Sequence, residues 1–183
     1  LSLDALIKRS GIDYGDVDYL AGGCVTQAGE QAGNIARNAW LSLGKDFTAG
    51  GTTFDNQCGS AQTANHAIAA MVETGRINVG IGCGVEAMSR VGLGQNVYNG
   101  PGYFQPPVWP WDTAPDQFTM VERIASNRGI TRQMVDEFAL SSQEKAQTAW
   151  NEGRFDSQVI PVTAPTFNDD GSPNDGSKLV ERD

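Results

Sequence analysis

Histidine and cysteine are scarce in this sequence, and their scarcity limits the chemistry that the chain can perform. Its 183 residues include one histidine, His66, and three cysteines. Cys24, Cys58 and Cys83 form no Cys-x-x-Cys pair and are odd in number. The sequence therefore predicts neither a metal site nor a disulfide framework. Reduced thiols of a cytoplasmic protein are the simplest interpretation.

Long apolar runs and an excess of positive charge are also missing. No stretch approaches about 18 apolar residues, so we expect no membrane span. The first ten residues lack a basic start followed by an apolar core, which argues against a signal peptide. They also lack an initiator Met, so we expect a chain that begins within a longer protein or has been trimmed. The formal net charge of -9 argues against nucleic-acid binding, although a local site can still bind an anionic ligand.

The first half of the chain alternates short apolar segments with segments of helical spacing. A helix tail before Gly11 comes first. Predicted strands follow at residues 17–25, 51–55 and 77–82, and predicted helices at residues 31–43 and 59–74. This alternation is typical of an α/β protein in which helices cover a parallel-rich sheet, here a βαβαβ unit.

The character of the sequence changes after Gly92, which predicts a unit of residues 1–92, incomplete at its start, and another of 93–183. Residues 94–115 are rich in proline, glycine and aromatic residues, and they predict a long functional or interfacial loop. Helices are predicted at residues 116–128 and 132–151, the second with Thr131 as its N-cap. A short strand at 159–162 and turn chemistry throughout 168–177 complete the chain.

The segment 55–60, Asp-Asn-Gln-Cys-Gly-Ser, places Cys58 where a strand ends and a helix begins. Unpaired N–H groups at a helix start stabilise a thiolate and can hold the carbonyl oxygen of an acyl group on that sulfur. The segment thus fits a nucleophile that forms a thioester intermediate. Free cysteine is also often a small buried hydrophobe. That alternative stays open for Cys58 and is favoured for Cys24 and Cys83, which lie within apolar strand patterns.

Cys58-Gly59-Ser60 and the alanine-rich helix after it resemble the first active-site motif of the thiolase family. Several further matches follow in the family's order and cover nearly the whole chain. They are Gly22-Gly23-Cys24-Val25, Gly29-Glu30-Gln31, Asn34-Ile35-Ala36-Arg37, Gly82-Cys83-Gly84-Val85-Glu86-Ala87-Met88-Ser89, Gly129-Ile130-Thr131-Arg132, Asp136-Glu137-Phe138-Ala139, Ser142-Gln143 and Gly153-Arg154-Phe155.

The resemblance implies a thiolase-like fold, with residues 93–183 as part of its helical loop domain. It implies that Cys58 is the nucleophile in thiolytic cleavage of 3-ketoacyl-CoA to acetyl-CoA and a shortened acyl-CoA. The backbone N–H of Cys58 would be one oxyanion donor, CoA would be the co-substrate, and no other cofactor is expected. The resemblance also implies a homodimer or homotetramer, with the strand at residues 51–55 near the dimer interface.

Two further catalytic motifs of the family, Gly-His-Pro and Cys-x-Gly, do not occur in this sequence. His66 lies two turns into the helix after Cys58 and outside such a motif, so we predict a surface or packing role for it. The chain is therefore expected to be part of a catalyst: a fragment, or one of two chains of which the other supplies the C-terminal half.

The acyl group is suggested by a narrower resemblance. Asn65-His66 and the Arg-Val-Gly-Leu-Gly run at 90–94 resemble thiolases of steroid side-chain breakdown in actinobacteria. In the predicted loop domain, residues 117–122 depart from the family's Met-Gly-x-Thr-Ala-Glu and match it firmly only at Glu122. This combination predicts a pocket for bulky acyl groups.

Two alternatives to a thiolase remain. A ketoacyl-synthase-type condensing enzyme would share the fold and use a cysteine, but its motif differs from Cys-Gly-Ser and leaves the Glu-x-Met-Ser match unexplained. A non-catalytic thiolase-like scaffold or binding subunit has no chemical need for an intact Cys58.

Three other patterns receive structural interpretations. The alternate glycines at 80–84 lack the spacing of a dinucleotide fingerprint. Asp169, Asp170 and Asp175 lack the final Glu of a calcium loop, so a solvated turn is expected. An aromatic cluster is assigned to subunit packing rather than to a pocket, because aromatic residues are favoured in interface cores; it consists of Tyr103, Phe104, Trp109 and Trp111.

Overall fold

The computed structural model describes residues 1–98, 100–102, 108–113 and 115–182. Contacts divide the chain into two compact units, Leu1–Phe104 and Gln105–Asp183. The helices and strands of the first unit are α1 Ser2–Ser10, β1 Tyr19–Gly23, α2 Ile35–Leu41, β2 Gly50–Phe54, α3 Ser60–Glu73 and β3 Gly80–Gly84. Those of the second unit are α4 Gln117–Arg128, α5 Arg132–Asn151, β4 Val162–Phe167 and β5 Pro173–Val180.

The first unit contains a three-stranded parallel sheet in the order β2-β1-β3. β1 lies in the centre, where Leu20 pairs with Gly51 on one side and with Ile81 on the other. Each parallel crossover is made by a helix, α2 between β1 and β2 and α3 between β2 and β3. The predicted βαβαβ unit is therefore confirmed.

Helices cover both faces of this sheet, because successive side chains of a strand point to opposite faces. Leu20 of β1 is buried with Ile7 of α1 and Trp40 of α2. Its neighbour Ala21 is buried on the other face with Ala64 and Ile68 of α3. Burial of each large apolar side chain stabilises the folded state by about 1.5–3 kcal/mol. Apolar packing on both faces therefore holds the helices against the sheet.

Two elements of the first unit differ from the sequence prediction. The helix expected at 31–43 begins only at Ile35, because Gly33 and Asn34 both have a φ of 67° and interrupt the chain before it. The strand expected at 77–82 is displaced to Gly80–Gly84, since Ile77 packs against α3 before the ladder begins.

The second unit has two capped helices and an antiparallel hairpin. Thr131 caps α5 as predicted, its hydroxyl accepting a hydrogen bond from the N–H of Met134 at 3.3 Å. The predicted strand at 159–162 is wrong, because β4 starts only at Val162. Residues 168–177 are also not turn throughout, because β5 begins at Pro173 and pairs with β4. Cross-strand hydrogen bonds thus convert a polar, turn-rich sequence into a strand.

Three predictions concern segments that the structure covers in part or leaves untested. The described residues between 94 and 115 contain neither helix nor strand. Tyr103 and Phe104 of the aromatic cluster lie outside the described residues, whereas the rings of Trp109 and Trp111 pack with centroids 6.4 Å apart. A domain boundary between residues 92 and 93 stays a prediction.

None of the helices in the described part of the chain has the length and apolarity needed to cross a membrane.

Candidate active site

The carboxyl ends of the three parallel strands meet at one edge of the sheet, where ligands bind in many open α/β proteins. Gly23, Phe54 and Gly84 end their strands in register with one another. Cys58 lies in the short connection from β2 to α3, two residues before the helix begins. The fold therefore brings Cys58 to the edge of the sheet where parallel strands leave room for a ligand.

A tight turn presents Cys58 to solvent. Gln57 takes a left-handed conformation with a φ of 51°, which is uncommon outside glycine. The N–H of Gly59 donates to the Asn56 carbonyl at 3.1 Å, and the N–H of Ser60 donates to the Gln57 carbonyl at 3.0 Å. Among the described residues, no acceptor lies in hydrogen-bonding geometry for the Cys58 N–H. This N–H, with the positive end of the helix dipole, can receive an acyl oxygen.

The first turn of α3 lies directly against the ends of β1 and β3. A Cβ atom at Gly23 would stand 2.2 Å from the Ala61 nitrogen, and one at Gly84 would stand 2.7 Å from the Ala61 Cβ. Both distances are shorter than any real contact, so only glycine permits this approach. The two glycines thus set the height of the Cys58 turn above the sheet.

A pocket of about 490 Å³ opens over this edge of the sheet. The thiol of Cys58 is exposed and faces no disulfide partner. Apolar side chains predominate in the walls, which suits the tail of an acyl group. The pocket is lined by Gly23, Cys24, Val25, Gln57, Cys58, Ser60, Ala61, Gly84, Val85, Glu86, Met88 and Leu93.

A polar clamp joins the loops that follow β1 and β3. The Glu86 carboxylate accepts hydrogen bonds from the Val25 N–H at 2.8 Å and from the Thr26 N–H at 3.2 Å. The Gln31 amide donates to the same carboxylate at 3.1 Å, and its oxygen accepts from the Ala87 N–H at 2.7 Å. Burial opposes ionisation of Glu86, but these hydrogen bonds outweigh it and lower its pKa. The clamp therefore holds an anionic carboxylate in the pocket wall.

The other two cysteines differ from Cys58 in exposure. Cys24 is buried, and burial is the main cause that raises the pKa of its thiol, with the charges of Glu86 and Asp55 adding to it. Cys83 is half-buried, and burial raises its pKa as well. Both remain protonated at neutral pH and are poor nucleophiles.

His66 lies on α3 and is exposed, in agreement with a surface role. No cluster of three His, Cys, Asp or Glu side chains suited to a metal ion occurs among the described residues. Asp170 accepts hydrogen bonds from the Ser172 N–H at 2.9 Å and hydroxyl at 2.6 Å, and it shapes the turn between β4 and β5.

Sequence reasoning located Cys58 but missed the residues that hold its surroundings. Glu86 and Gln31 are 55 residues apart, and each was noted only as part of a family motif. Ser60 was noted only as the residue after Cys58-Gly59, although its hydroxyl binds the backbone on the other side of the cysteine. The one signal in the sequence is a serine directly before an alanine-rich helical segment.

Comparison with known proteins identifies the family. The model of the thiolase N-terminal domain matches residues 2–180. The chain is 37% identical over 159 residues to a 3-ketoacyl-CoA thiolase of Psychrobacter cryohalolentis, covering 86% of this chain and 40% of that protein. It is 32% identical, over an alignment of 188 positions, to the steroid 3-ketoacyl-CoA thiolase FadA6 of Mycobacterium tuberculosis. This alignment covers 97% of this chain and 46% of that protein.

A solved structure supports the same conclusion about the fold. The acetyl-CoA acetyltransferase of Bacillus anthracis superposes with a TM-score of 0.74 at 26% identity, covering 100% of this chain and 46% of that one. The chain thus belongs to the thiolase family, and the predicted thiolase-like α/β fold is confirmed. Its similar relatives include enzymes named 3-ketoacyl-CoA thiolases, and the chain spans less than half of their length.

Proposed function

We propose that the complete protein containing this chain is an acyltransferase that cleaves 3-ketoacyl-CoA to acetyl-CoA and a shortened acyl-CoA, with Cys58 as nucleophile. The position of Cys58 supports this proposal best. Its exposed thiol lies at the start of α3 and within an apolar pocket, beside a backbone N–H that has no acceptor among the described residues. Nucleophile and oxyanion donor then belong to one residue, so both groups reach the same acyl carbon, as covalent acyl transfer with electrostatic stabilisation needs.

The proposed reaction has two steps. The Cys58 thiolate attacks the 3-keto carbon, and the bond between C2 and C3 breaks. Its electron pair leaves with the acetyl-CoA fragment, whose C2 takes up a proton, and the shortened acyl group stays on Sγ as a thioester. The thiolate of CoA then attacks that thioester, and Cys58 leaves as a thiolate. CoA is a co-substrate, and these steps need no other cofactor.

The intact mass of the complete protein after incubation with acetyl-CoA tests the nucleophile. We expect one acetyl group on the peptide containing Cys58, which disappears when free CoA is added. Cys58→Ser should gain no acetyl group. Cys83→Ser is the matched control and should be acetylated normally, because its half-buried thiol is not among the residues that line this pocket. A protein that never gains the acetyl group, or gains it equally in Cys58→Ser, would favour the non-catalytic scaffold.

We further propose that the acyl group is bulky, as in steroid side chains. Two observations support this: the resemblance to the steroid thiolase covers 97% of the chain, and the apolar side chains of Val85, Met88 and Leu93 line a pocket of about 490 Å³. The ratio kcat/KM should be at least about ten-fold higher for a steroid-side-chain 3-ketoacyl-CoA than for acetoacetyl-CoA. A preference for acetoacetyl-CoA would sink this part of the proposal.

We propose a homodimer or homotetramer in which β2 lies near the dimer interface. β2 is an edge strand of the described sheet, so its outer backbone groups are open to pairing.

A reduced, cytoplasmic location is also proposed, on the basis of three unpaired cysteines. Cell fractionation with an antibody against the protein checks it, and recovery from the medium or a membrane fraction would contradict it.

A further inference from the structure

The hydroxyl of Ser60 makes two hydrogen bonds that are unusual for a serine at a helix start. A capping serine normally precedes the helix and accepts from an N–H of the first turn. Ser60 is instead the first helical residue, and Gly59 occupies the cap position without a side-chain bond. The Ser60 hydroxyl turns back along the chain, donating to the Gln57 carbonyl at 2.6 Å and accepting from the Asn56 N–H at 2.9 Å.

These two bonds span the residue between them. Asn56 and Gln57 precede Cys58, and Ser60 follows it, so the hydroxyl closes a ring of backbone around the cysteine. Ser60 is only 4% exposed, so water cannot readily replace either bond. Without the hydroxyl, the Asn56 N–H would lose its acceptor.

The turn needs such support because its backbone is strained at Gln57. The backbone of Gln57 is held at a φ of 51°, which a non-glycine residue rarely adopts unless its surroundings enforce it. Further bonds hold the same residues: Asp55 accepts from the Gln57 N–H at 3.1 Å, and the Asn56 amide donates to the Thr63 hydroxyl at 2.9 Å. Only the Ser60 hydroxyl is both buried and bonded to two backbone groups.

We propose that Ser60 is a positioning residue, whose hydroxyl fixes the turn so that the Cys58 N–H points at the oxygen of the acyl group. The inference rests on the proposed function of Cys58. Ser60 itself neither attacks the substrate nor transfers a proton in this proposal, since its single O–H is donated to the Gln57 carbonyl.

Acetylation and alkylation of Cys58 separate this role from a general effect on folding. Acetyl transfer from acetyl-CoA needs both the thiolate and the aligned N–H, whereas alkylation by iodoacetamide needs only the thiolate. In the complete protein, Ser60→Ala should slow acetylation about ten- to one-hundred-fold. Alkylation should change by no more than about two-fold. Ser60→Thr, which keeps the hydroxyl, should recover most of the acetylation rate.

A matched control removes a hydroxyl from the other end of the same helix. Thr74 donates to the Ala70 carbonyl at 2.7 Å, far along the chain from the turn, and Thr74→Ala should acetylate at the wild-type rate. Normal acetylation of Ser60→Ala would overturn the proposal, as would equal slowing of acetylation and alkylation, or equal slowing in the Ala and Thr variants. A wild-type protein that is not acetylated at Cys58 would instead refute the proposed function, and the role of Ser60 would fall with it.

Discussion

At the scale of single residues, Asp46 shows how one carboxylate stabilises a turn away from the pocket. It accepts hydrogen bonds from the N–H groups of Ala49 and Thr48, from the Thr48 hydroxyl, and from the indole of Trp40 at 3.1 Å. The first of these, from Ala49, contributes most to lowering the pKa of Asp46 well below its ordinary value of 3.8. Because Trp40 is buried in the core, this turn connects a surface charge to the packing of α2.

Asp46→Asn should lower stability in a pH-dependent way. A lowered pKa in the folded state means that the ionised form stabilises folding above the ordinary pKa of 3.8 and loses that effect as the pH falls below it. The difference in Tm between wild type and variant should thus be largest near neutral pH and shrink in acid. Asp16→Asn, an exposed side chain in another turn, is the control. An equal Tm difference at every pH would contradict this explanation.

The clamp of Glu86 with Gln31 also acts at the residue scale, but on the pocket itself. Its hydrogen bonds fasten the segment after β1 to the segment after β3, and both segments line the pocket with Cys58. The groups that bond to the Glu86 carboxylate are all N–H donors, from Val25, Thr26 and Gln31. An ionised carboxylate, which only accepts, therefore suits this position better than an amide. The clamp therefore preserves the shape of a wall built from two distant parts of the chain.

At the scale of elements, the contact of α3 with the sheet decides where Cys58 lies. The helix can approach β1 only because Gly23 has no side chain, and it can approach the end of β3 only because Gly84 has none. Close packing leaves no free space to absorb an added methyl group. Gly23 and Gly84, which have no reactive side chain, consequently set the position of the helix start and of the turn before it.

Gly23→Ala should destabilise the protein and slow acetylation together. Its Cβ would stand 2.2 Å from the Ala61 nitrogen, so the first turn of α3 must move outward with Cys58. We expect a loss of about 1–3 kcal/mol in the free energy of unfolding, typical of overpacking. Gly15→Ala is the matched control, because a Cβ there meets nothing within 4 Å. Denaturant unfolding and the acetylation assay measure both effects; an unchanged acetylation rate in Gly23→Ala would show that the helix position does not matter.

At the scale of the whole molecule, the described sheet is narrow and has two open edges. β2 and β3 each pair on one side only, with β1 between them. Exposed strand edges are usually covered in native proteins, by further strands or by a partner. Both outer edges of this sheet are therefore open to a further strand.

Thr52→Lys tests whether β2 contributes to subunit pairing in the complete protein. Thr52 lies in the middle of this strand, and a lysine on an edge opposes the approach of another strand. Multi-angle light scattering should show a dimer or tetramer for wild type and dissociation for the variant. Thr74→Lys, at the exposed end of α3, should leave the assembly intact. A wild-type monomer, or a variant that stays assembled, would contradict the proposed interface.

Features that depend on residues close together along the chain could be predicted from the amino-acid sequence. Helical spacing and capping gave α5 its bounds, Arg132–Asn151, and Thr131 its role, because a cap binds an amide only three residues away. The alternation of strands and helices determined the βαβαβ unit, and the change from strand to helix located Cys58 at the start of α3. These features follow from local periodicity and backbone chemistry.

Contacts between residues that are distant along the chain became visible only in the folded structure. The hydrogen bonds that Val25 and Gln31 donate to Glu86 depend on the register of β1 with β3. Likewise, β5 forms in a turn-like sequence because β4 lies beside it. The left-handed residue Asn34, whose amide donates to the Gly51 carbonyl at 2.9 Å, likewise delays the start of α2 to Ile35 through contact with β2. The physical reason is that register and close packing bring together groups whose separation along the chain conceals their partnership.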